Sequence, residues 1–308
     1  DSSVTGVQTC ALPICPAFGR MNGSGSGRLN GSVDMALNDG TFEAREFFSW
    51  KSTDDPAATN RLTLGCGVPL QGRFSVPATT RYHNGGRVIM NLNGGVLEAR
   101  GLCSPDSNLN GSLNDYLYGV NDLIVLAGGA NFDTLTNAVS IRQPLTPDAA
   151  GDGGLTKLGS GRLALEADVA LTGLVTVAEG TLDAAFTATP DLRVAAAGTL
   201  DLSQAAAPCA FRVVSGTGQA TNGTLAVTGT LSPGEAEDEA GTLHAQSLAL
   251  QSGATLRYDW SATTNDLFDV SGELAAQSAG FIDFGREEGD DLPLPFTAVI
   301  GRYGTFTG

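Results

Sequence analysis

Short apolar stretches alternate with glycine-containing turns along almost the whole sequence. Within these stretches apolar side chains recur at every second position, as at Val175 and Val177 or at Leu225 and Val227. Apolar residues at every second position lie on one face of a β-strand, which can then be buried. Glycine interrupts the recurrence of apolar residues at every third or fourth position that a helix needs. Glycine accounts for 41 of the 308 residues, against a usual share of about 7%. We therefore expect an all-β chain of short strands and frequent turns.

Internal repeats indicate how these strands are arranged. Residues Met35–Arg45 recur as Met90–Arg100, with identity at seven of eleven positions, and so define a 55-residue repeat. A Gly-Thr-Leu unit recurs at Gly180, Gly198, Gly223, Gly229 and Gly241, with a near copy at Gly253–Leu256. A short strand with one buried face must pack on similar units, so the pattern predicts a solenoid of irregular coils. The repeat from Met35 to Met90 then fits two or three coils.

The chain is expected to contain three segments. Residues 4–14 resemble the in-frame translation of a sequencing adapter, so we exclude 1–15 from the fold, including the pair Cys10 and Cys15. Residues 16–150 form an N-terminal solenoid segment with the 55-residue repeat, and residues 151–308 form a second segment truncated at its C-terminus. Any signal peptide would precede the adapter-like residues.

Charge excludes one class of partner. The formal net charge is −16 and the pI is near 4.3, and Lys51 and Lys157 are the only lysines. Because nucleic-acid binding needs clustered basic residues, we expect no nucleic-acid partner. The longest apolar run, Leu123–Ala127, is far shorter than the ~20 residues that a membrane-spanning helix requires.

The segment from Gly153 to Leu182 resembles the autotransporter-associated β-strand repeat of bacterial surface proteins. It opens with Gly-Gly-Leu-Thr-Lys, continues with a Gly-x-Gly turn and an apolar strand, and ends in Gly-Thr-Leu. The matching residues are Gly153, Gly154, Leu155, Thr156, Lys157, Gly159, Gly161, Leu163, Leu165, Thr172, Gly173, Val175, Val177, Gly180, Thr181 and Leu182. Arg162 and Val169–Leu171 depart from the family, which usually has Thr and an Asn-Thr-Tyr group there.

The flanking segments Ala127–Thr134, Gly229–Gly234 and Asn265–Gly272 are similar to the same proteins. The resemblance implies a right-handed parallel β-helix in a large secreted or outer-membrane-associated surface protein. A C-terminal translocator barrel or a sorting signal would lie outside this sequence. The expected function is a non-catalytic passenger or stalk with an adhesive or structural role, whose partners would be glycans or cell surfaces.

Residues with catalytic or metal-binding chemistry are few and scattered. His83 and His244 lie far apart in the sequence and accompany no nucleophile motif, and Gly216–Gly218 lacks the third glycine of a phosphate-binding loop. Gly128–Leu135 approaches one copy of a calcium-binding nonapeptide, and the acid runs Glu235–Glu239 and Glu287–Asp291 could collect Ca²⁺ adventitiously. We expect no cofactor.

The alternative is a stalk or part of a β-helix polysaccharide lyase or hydrolase, because such enzymes can use paired carboxylates. The nearest approach to that arrangement is Asp259, Asp266 and Asp269. Asp266 and Asp269 would point to opposite faces of one strand, whereas Arg257 shares a face with Asp259. We expect the chain not to be an enzyme.

Overall fold

The computed structural model describes residues 17–18, 33–43, 48–50, 57–81, 86–100, 115–234, 239–260, 265–277, 281–286 and 299–308. The adapter-like residues 1–15 lie outside these ranges. The described residues form β-strands and no helix, and the strands pair in parallel, which confirms the predicted all-β class and the β-helix architecture. In these ranges there is accordingly no helix with the length and apolarity to cross a membrane.

The chain divides into two compact units, Asp1–Gly173 and Leu174–Gly308. The described strands of the first unit are β1 (Ala17–Phe18), β2 (Val33–Leu37), β3 (Thr41–Glu43), β4 (Phe48–Trp50), β5 (Thr59–Leu64), β6 (Arg73–Val76), β7 (Thr79–Arg81), β8 (Arg87–Leu92), β9 (Val96–Ala99), β10 (Asp122–Val125), β11 (Ala130–Asp133), β12 (Ala138–Ile141), β13 (Leu145–Pro147), β14 (Leu155–Leu158) and β15 (Arg162–Val169).

The described strands of the first unit stack in three parallel ladders, and β15 pairs with strands of two of them. Ladder 1 runs β2–β5–β8–β10–β13, ladder 2 runs β3–β6–β9–β11–β14, and ladder 3 contains β1–β4–β7 and the pair β12–β15. Met35 pairs with Leu62, and Leu62 pairs with Met90. The repeat from Met35 to Met90 therefore corresponds to two coils.

The second unit is built in the same way from longer strands. They are β16 (Val175–Phe186), β17 (Leu192–Asp201), β18 (Cys209–Gly216), β19 (Gln219–Pro233), β20 (Thr242–Leu250), β21 (Thr255–Trp260), β22 (Leu267–Ala276), β23 (Phe281–Arg286) and β24 (Gly301–Thr307). Ladder 4 joins β16–β17–β18–β19–β21–β23, ladder 5 joins β16–β17–β19–β20–β22–β24, and ladder 6 joins β18–β19–β20–β22–β24. The Gly-Thr-Leu units at Gly180 and Gly198 lie directly above one another.

Strands of the second unit pass around the corners of the coil without a separate loop. The 15-residue strand β19 contributes Ala220 to ladder 5, Leu225 to ladder 6 and Leu231 to ladder 4. The register shifts at such corners, because one strand carries more residues there than its neighbour. Gly229 occupies one corner, where a Cβ would lie 2.5 Å from the Arg212 carbonyl oxygen. Glycine therefore allows neighbouring backbones to approach at these bends.

The core consists of inward-facing columns in which each apolar side chain packs on its partner in the next coil. In ladder 1 the fully buried Leu62, Met90, Leu123 and Leu145 form one such column. Burial of a side chain of this size contributes about 1.5–3 kcal/mol. The continuity of these columns explains why a strand with a single apolar face is stable only within the stack.

Candidate functional site

Glycines of the Gly153–Leu182 motif lie where successive coils touch. A Cβ on Gly159 would lie 2.5 Å from the backbone nitrogen of Leu135, and one on Gly161 would overlap the backbone of Asn137. Likewise, Cβ atoms on Gly153 and Gly173 would overlap backbone atoms of Ala127 and Gly154. These positions accept only glycine because the coils pack backbone against backbone there.

Asp152, immediately before the motif, binds the next coil. Its Oδ2 accepts hydrogen bonds from the backbone N–H and the hydroxyl of Thr172, and its Oδ1 accepts from the N–H groups of Gly173 and Gly154, all at 2.9 Å. Burial alone would raise the pKa of Asp152, but these four donors outweigh it and lower the pKa below its ordinary value. Asp152 was not among the residues predicted from the sequence, although an Asp two residues before a positive-φ glycine is a recognisable turn signal.

The remaining motif residues divide by the side of the strand on which they lie. The buried members are Leu155, Lys157, Leu163, Leu165, Val175, Val177 and Leu182, whereas Thr156 and Thr181 are half-buried and Thr172 is exposed. Lys157 is fully buried, and its Nζ donates to the carbonyl oxygens of Leu158 at 3.0 Å and Gly159 at 2.7 Å. These contacts give the motif a structural role in forming coils.

A cluster of polar side chains lies on the outer face of ladder 2. Ser75, Glu98 and Asp133 occupy adjacent coils in register, so their strands are about 4.8 Å apart. The Arg73 guanidinium donates to Glu98 and also to Asp133 at 3.2 Å, and the Ser75 hydroxyl donates to Glu98 at 2.6 Å. We call Arg73, Ser75, Glu98 and Asp133 the ladder-2 cluster.

The carboxylates of the ladder-2 cluster favour the charged form of Arg73. Both carboxylate side chains are largely buried, with 14% of Glu98 and 15% of Asp133 exposed. Partial burial tends to lower the pKa of Arg73, but the adjacent Asp133 and Glu98 outweigh it and raise that pKa. The cluster thus places two carboxylates beside one guanidinium, an arrangement that could hydrogen-bond sugar hydroxyls. The cluster was not predicted from the sequence, because Glu98 and Asp133 belong to different coils and are distant in the sequence.

The predicted carboxylate group is only partly assembled. Asp259 and Asp266 are in contact, since the Asp259 N–H donates to Asp266 Oδ2 at 2.9 Å and the Asp266 N–H donates to the Asp259 carbonyl oxygen at 2.8 Å. Arg257 Nε lies 3.8 Å from Asp259 Oδ1. Asp269 instead lies 3.3 Å from His244 Nδ1 on a neighbouring coil. The structure therefore brings Asp259 and Asp266 together through their backbone groups, whereas Asp269 contacts a different residue.

Burial has the largest effect on the pKa of Asp266 in the pair Asp259 and Asp266. Asp266 is fully buried, and this desolvation raises its pKa to about 6, although the N–H groups of Asp259 and Gly241 act in the opposite direction. The nearby charge of Asp259 adds to the increase, and Arg257 reduces it. An aspartate that titrates near neutral pH can exchange protons, but Asp266 is enclosed by backbone donors. We therefore assign it a structural role at the turn between β21 and β22.

The remaining sequence candidates have structural contacts or lie outside the described residues. In the calcium-like segment, Asn131 is buried and donates to the Gly94 carbonyl oxygen at 2.8 Å, and Asp133 belongs to the ladder-2 cluster. His83, residues 235–238 and the acid run 287–291 lie outside the described residues. Gly216 has a φ of +110°, and a Cβ at this position would overlap the backbone of Val194. Where the structure is described, no three His, Cys, Asp or Glu side chains group as potential metal ligands.

Comparison of the chain with protein-family models, curated protein sequences and solved structures finds no match.

Proposed function

We propose that the chain is a non-catalytic passenger or stalk segment of a secreted or surface-exposed bacterial protein, with an adhesive or structural role. The observation that carries the proposal is the stacking of every coil on its neighbours through parallel ladders in each unit. Such solenoids expose a long outer surface on a repetitive core. The resemblance of Gly153–Leu182 to the autotransporter repeat supports an extracellular or outer-membrane-associated location.

Cross-coil ion pairs on the outer surface support this role. Arg61 contacts Asp34 at 3.1 Å, Arg87 contacts Asp122 at 2.5 Å, and Arg142 contacts Glu166 at 3.0 Å, each between neighbouring coils. Each exposed pair stabilises the fold by at most about 1 kcal/mol, but pairs spread along the coils together help to keep neighbouring strands in register. Arginine suits this task, because its planar guanidinium can bind a carboxylate through two donors.

The test is binding of the purified chain to a panel of immobilised glycans, with release of reducing ends measured in parallel. Selective binding without release is the result expected for an adhesive segment, and no binding is expected for a purely structural one. Release of oligosaccharides above a heat-denatured control would overturn both non-catalytic forms of the proposal. A chain with the four substitutions Arg73→Met, Ser75→Ala, Glu98→Gln and Asp133→Asn then tests whether the ladder-2 cluster provides the glycan contacts.

A polysaccharide lyase or hydrolase is the second candidate function. The observation that favours it is the presence of two largely buried carboxylates, Glu98 and Asp133, on adjacent coils beside Arg73. Paired carboxylates on adjacent strands are the groups that glycoside hydrolysis uses as acid and nucleophile or base. The variants Glu98→Gln and Asp133→Asn would then each abolish reducing-end release, whereas Glu166→Gln on another face would retain it. Unchanged release in both cluster variants would exclude this site.

A further inference from the structure

A column of polar side chains runs along the outer face of ladder 5 in the second unit. Successive coils place its members in register, one directly above the other. The members are Thr181, Thr199, Gln219, His244 and Asp269. Neighbouring strands of a parallel sheet lie about 4.8 Å apart, so one polar side chain is offered at each step of that length. We call these five residues the ladder-5 column.

The side chains of the ladder-5 column point away from the core. Successive side chains of a strand point to opposite faces, and the residue that follows each member is buried. These buried followers are Leu182, Leu200, Ala220, Ala245 and Val270. Thr181 and Thr199 are half-buried, and Gln219 is exposed. Within the described part of the chain, the hydroxyls of both threonines and the amide of Gln219 have no hydrogen-bond partner, so these groups are available to a ligand.

His244 adds an oriented imidazole to the column. Its Nδ1 lies 3.3 Å from Asp269 Oδ2 on the next coil, and 49% of its side chain is exposed. In a neutral imidazole whose Nδ1 carries the proton toward this carboxylate, Nε2 is a hydrogen-bond acceptor. The column therefore presents hydroxyl, amide and imidazole groups, which donate to and accept from hydroxyls.

Charge next to the column favours a neutral ligand. Glu179 precedes Thr181 by two residues, and Asp201 follows Thr199 by two residues, so a carboxylate lies on each side of the column. The chain as a whole has a formal net charge of −16. An acidic polysaccharide would be repelled here, whereas the hydroxyls of a neutral sugar can donate to these groups.

The regular spacing of the column favours a polymer. An extended β-1,4-linked pyranose chain advances with each ring by close to the distance between neighbouring coils. Such a chain, laid along the stack, brings every ring past a polar side chain of the column. An α-linked chain curves away from the straight column and makes fewer contacts.

We propose that the ladder-5 column binds a linear, neutral, β-linked polysaccharide that lies along the stack with one sugar ring per coil. This inference rests on the adhesive form of the proposed function, for which it names a site and a class of glycan. Affinity arises from repeated weak contacts along the column, so it depends on the length of the glycan.

Isothermal titration calorimetry of the full chain with cellobiose, cellotetraose and cellohexaose tests the proposal. Affinity should rise about fivefold with each added ring, because one net hydrogen bond corresponds to about that factor. Maltohexaose, the α-linked comparison, should bind more weakly than cellohexaose.

The double substitution Gln219→Ala and His244→Ala should lower the affinity for cellohexaose about tenfold or more, because it removes two adjacent members of the column. The matched control is Thr176→Ala with Ser232→Ala, since both residues are half-buried in ladder 4 of the same unit. Circular dichroism and thermal unfolding establish that both variants remain folded.

The outcomes that would overturn this inference are distinct from those that would overturn the proposed function. Equal affinity for cellobiose and cellohexaose would exclude a glycan that lies along the coils. Unchanged binding in the Gln219 and His244 variant would place the contact elsewhere. If other glycans bind but the β-linked oligomers do not, the ligand class is wrong and the adhesive function stands. Absence of binding to every glycan would overturn the adhesive function as well.

Discussion

The carboxylate of Asp152 accepts two hydrogen bonds from Thr172, on the next coil, one from its backbone N–H and one from its hydroxyl, both at 2.9 Å. The same carboxylate accepts from the N–H groups of Gly154 and Gly173. A single side chain therefore satisfies backbone donors of two successive coils. This explains how a turn without apolar side chains keeps its position on the stack.

Asp152→Ala should lower the free energy of unfolding by about 1–3 kcal/mol, because the substitution leaves partly buried N–H donors without their charged acceptor. Asp152→Asn should cost less, since one amide oxygen remains. Urea unfolding monitored by circular dichroism measures both changes. The control is Asp168→Ala, which removes a carboxylate of β15 that makes no comparable set of backbone contacts. Equal stability of the Asp152 and Asp168 variants would contradict the assigned role.

The contribution of Asp152 should also depend on pH. Hydrogen bonding lowers its pKa in the folded state, so the stabilisation is present above the unfolded value of about 3.9 and is lost as pH falls through the folded pKa. The stability difference between the native chain and Asp152→Ala should therefore shrink in strong acid. Unfolding curves over a pH series measure this difference, and a difference that is constant with pH would exclude the carboxylate as its source.

Asp266 should show the opposite pH dependence. Its pKa is raised to about 6 in the folded state, so its contribution to stability is complete below about pH 3.9 and is lost as pH rises through 6. Thermal unfolding of the native chain and of Asp266→Asn should therefore differ least at low pH, where the amide resembles the protonated acid, and the stability of the native chain relative to the variant should decrease toward pH 7. Asp283→Asn, on an exposed position of β23, should show no such trend.

Gly161→Ala should destabilise the first unit by about 3 kcal/mol, because the added Cβ overlaps the backbone of Asn137. Gly151→Ala provides the matched control. Gly151 has a φ of +105° and open space around its Cβ position, so alanine there meets only the backbone strain of about 1–2 kcal/mol. Chemical unfolding should rank the two variants in this order, and the reverse order would contradict the backbone-to-backbone packing.

Arg73→Met should cost about 1 kcal/mol at neutral pH, because it removes the cation between Glu98 and Asp133. The additional substitution Asp133→Asn should recover part of that loss by removing the repulsion between the two carboxylates. Arg61→Met, which breaks the more exposed pair with Asp34, should change stability by less than about 0.5 kcal/mol. A double-mutant cycle with no coupling between positions 73 and 133 would contradict the ladder-2 cluster.

Sequence alone predicted the strands and their stacking, because both follow from local patterns. The period-two positions such as Val175 and Val177 are buried, and the repeat from Met35 to Met90 matches two coils. Glycines were predicted as turn residues, but Gly161 is required by the neighbouring coil. Gly161 must be glycine because a Cβ there would overlap the backbone of Asn137 on the neighbouring coil. The residues next to Gly161 in the sequence do not reveal this contact.

The polar contacts between coils could not be predicted, because coil length varies. Val96 pairs with Asn131 across a stretch of chain more than twice as long as the one that separates Cys209 from its partner Leu225. A sequence without known coil lengths does not show that Glu98 lies beside Asp133. Asp266 lies in the turn before β22, so the expectation that it shares a strand with Asp269 does not apply, and its contact with Asp259 depends on that turn.

The shifts of register at the corners have a consequence for how such a protein can change. Between Ala220 and Thr224 three residues of β19 pass the corner, whereas only Gln246 lies between Ala245 and Ser247 on the neighbouring strand, yet both flanking pairs stay in register. A corner can thus gain or lose residues while the strands on either side keep their partners. Insertions in evolution, or peptides grafted by design, should be tolerated there far better than within a ladder.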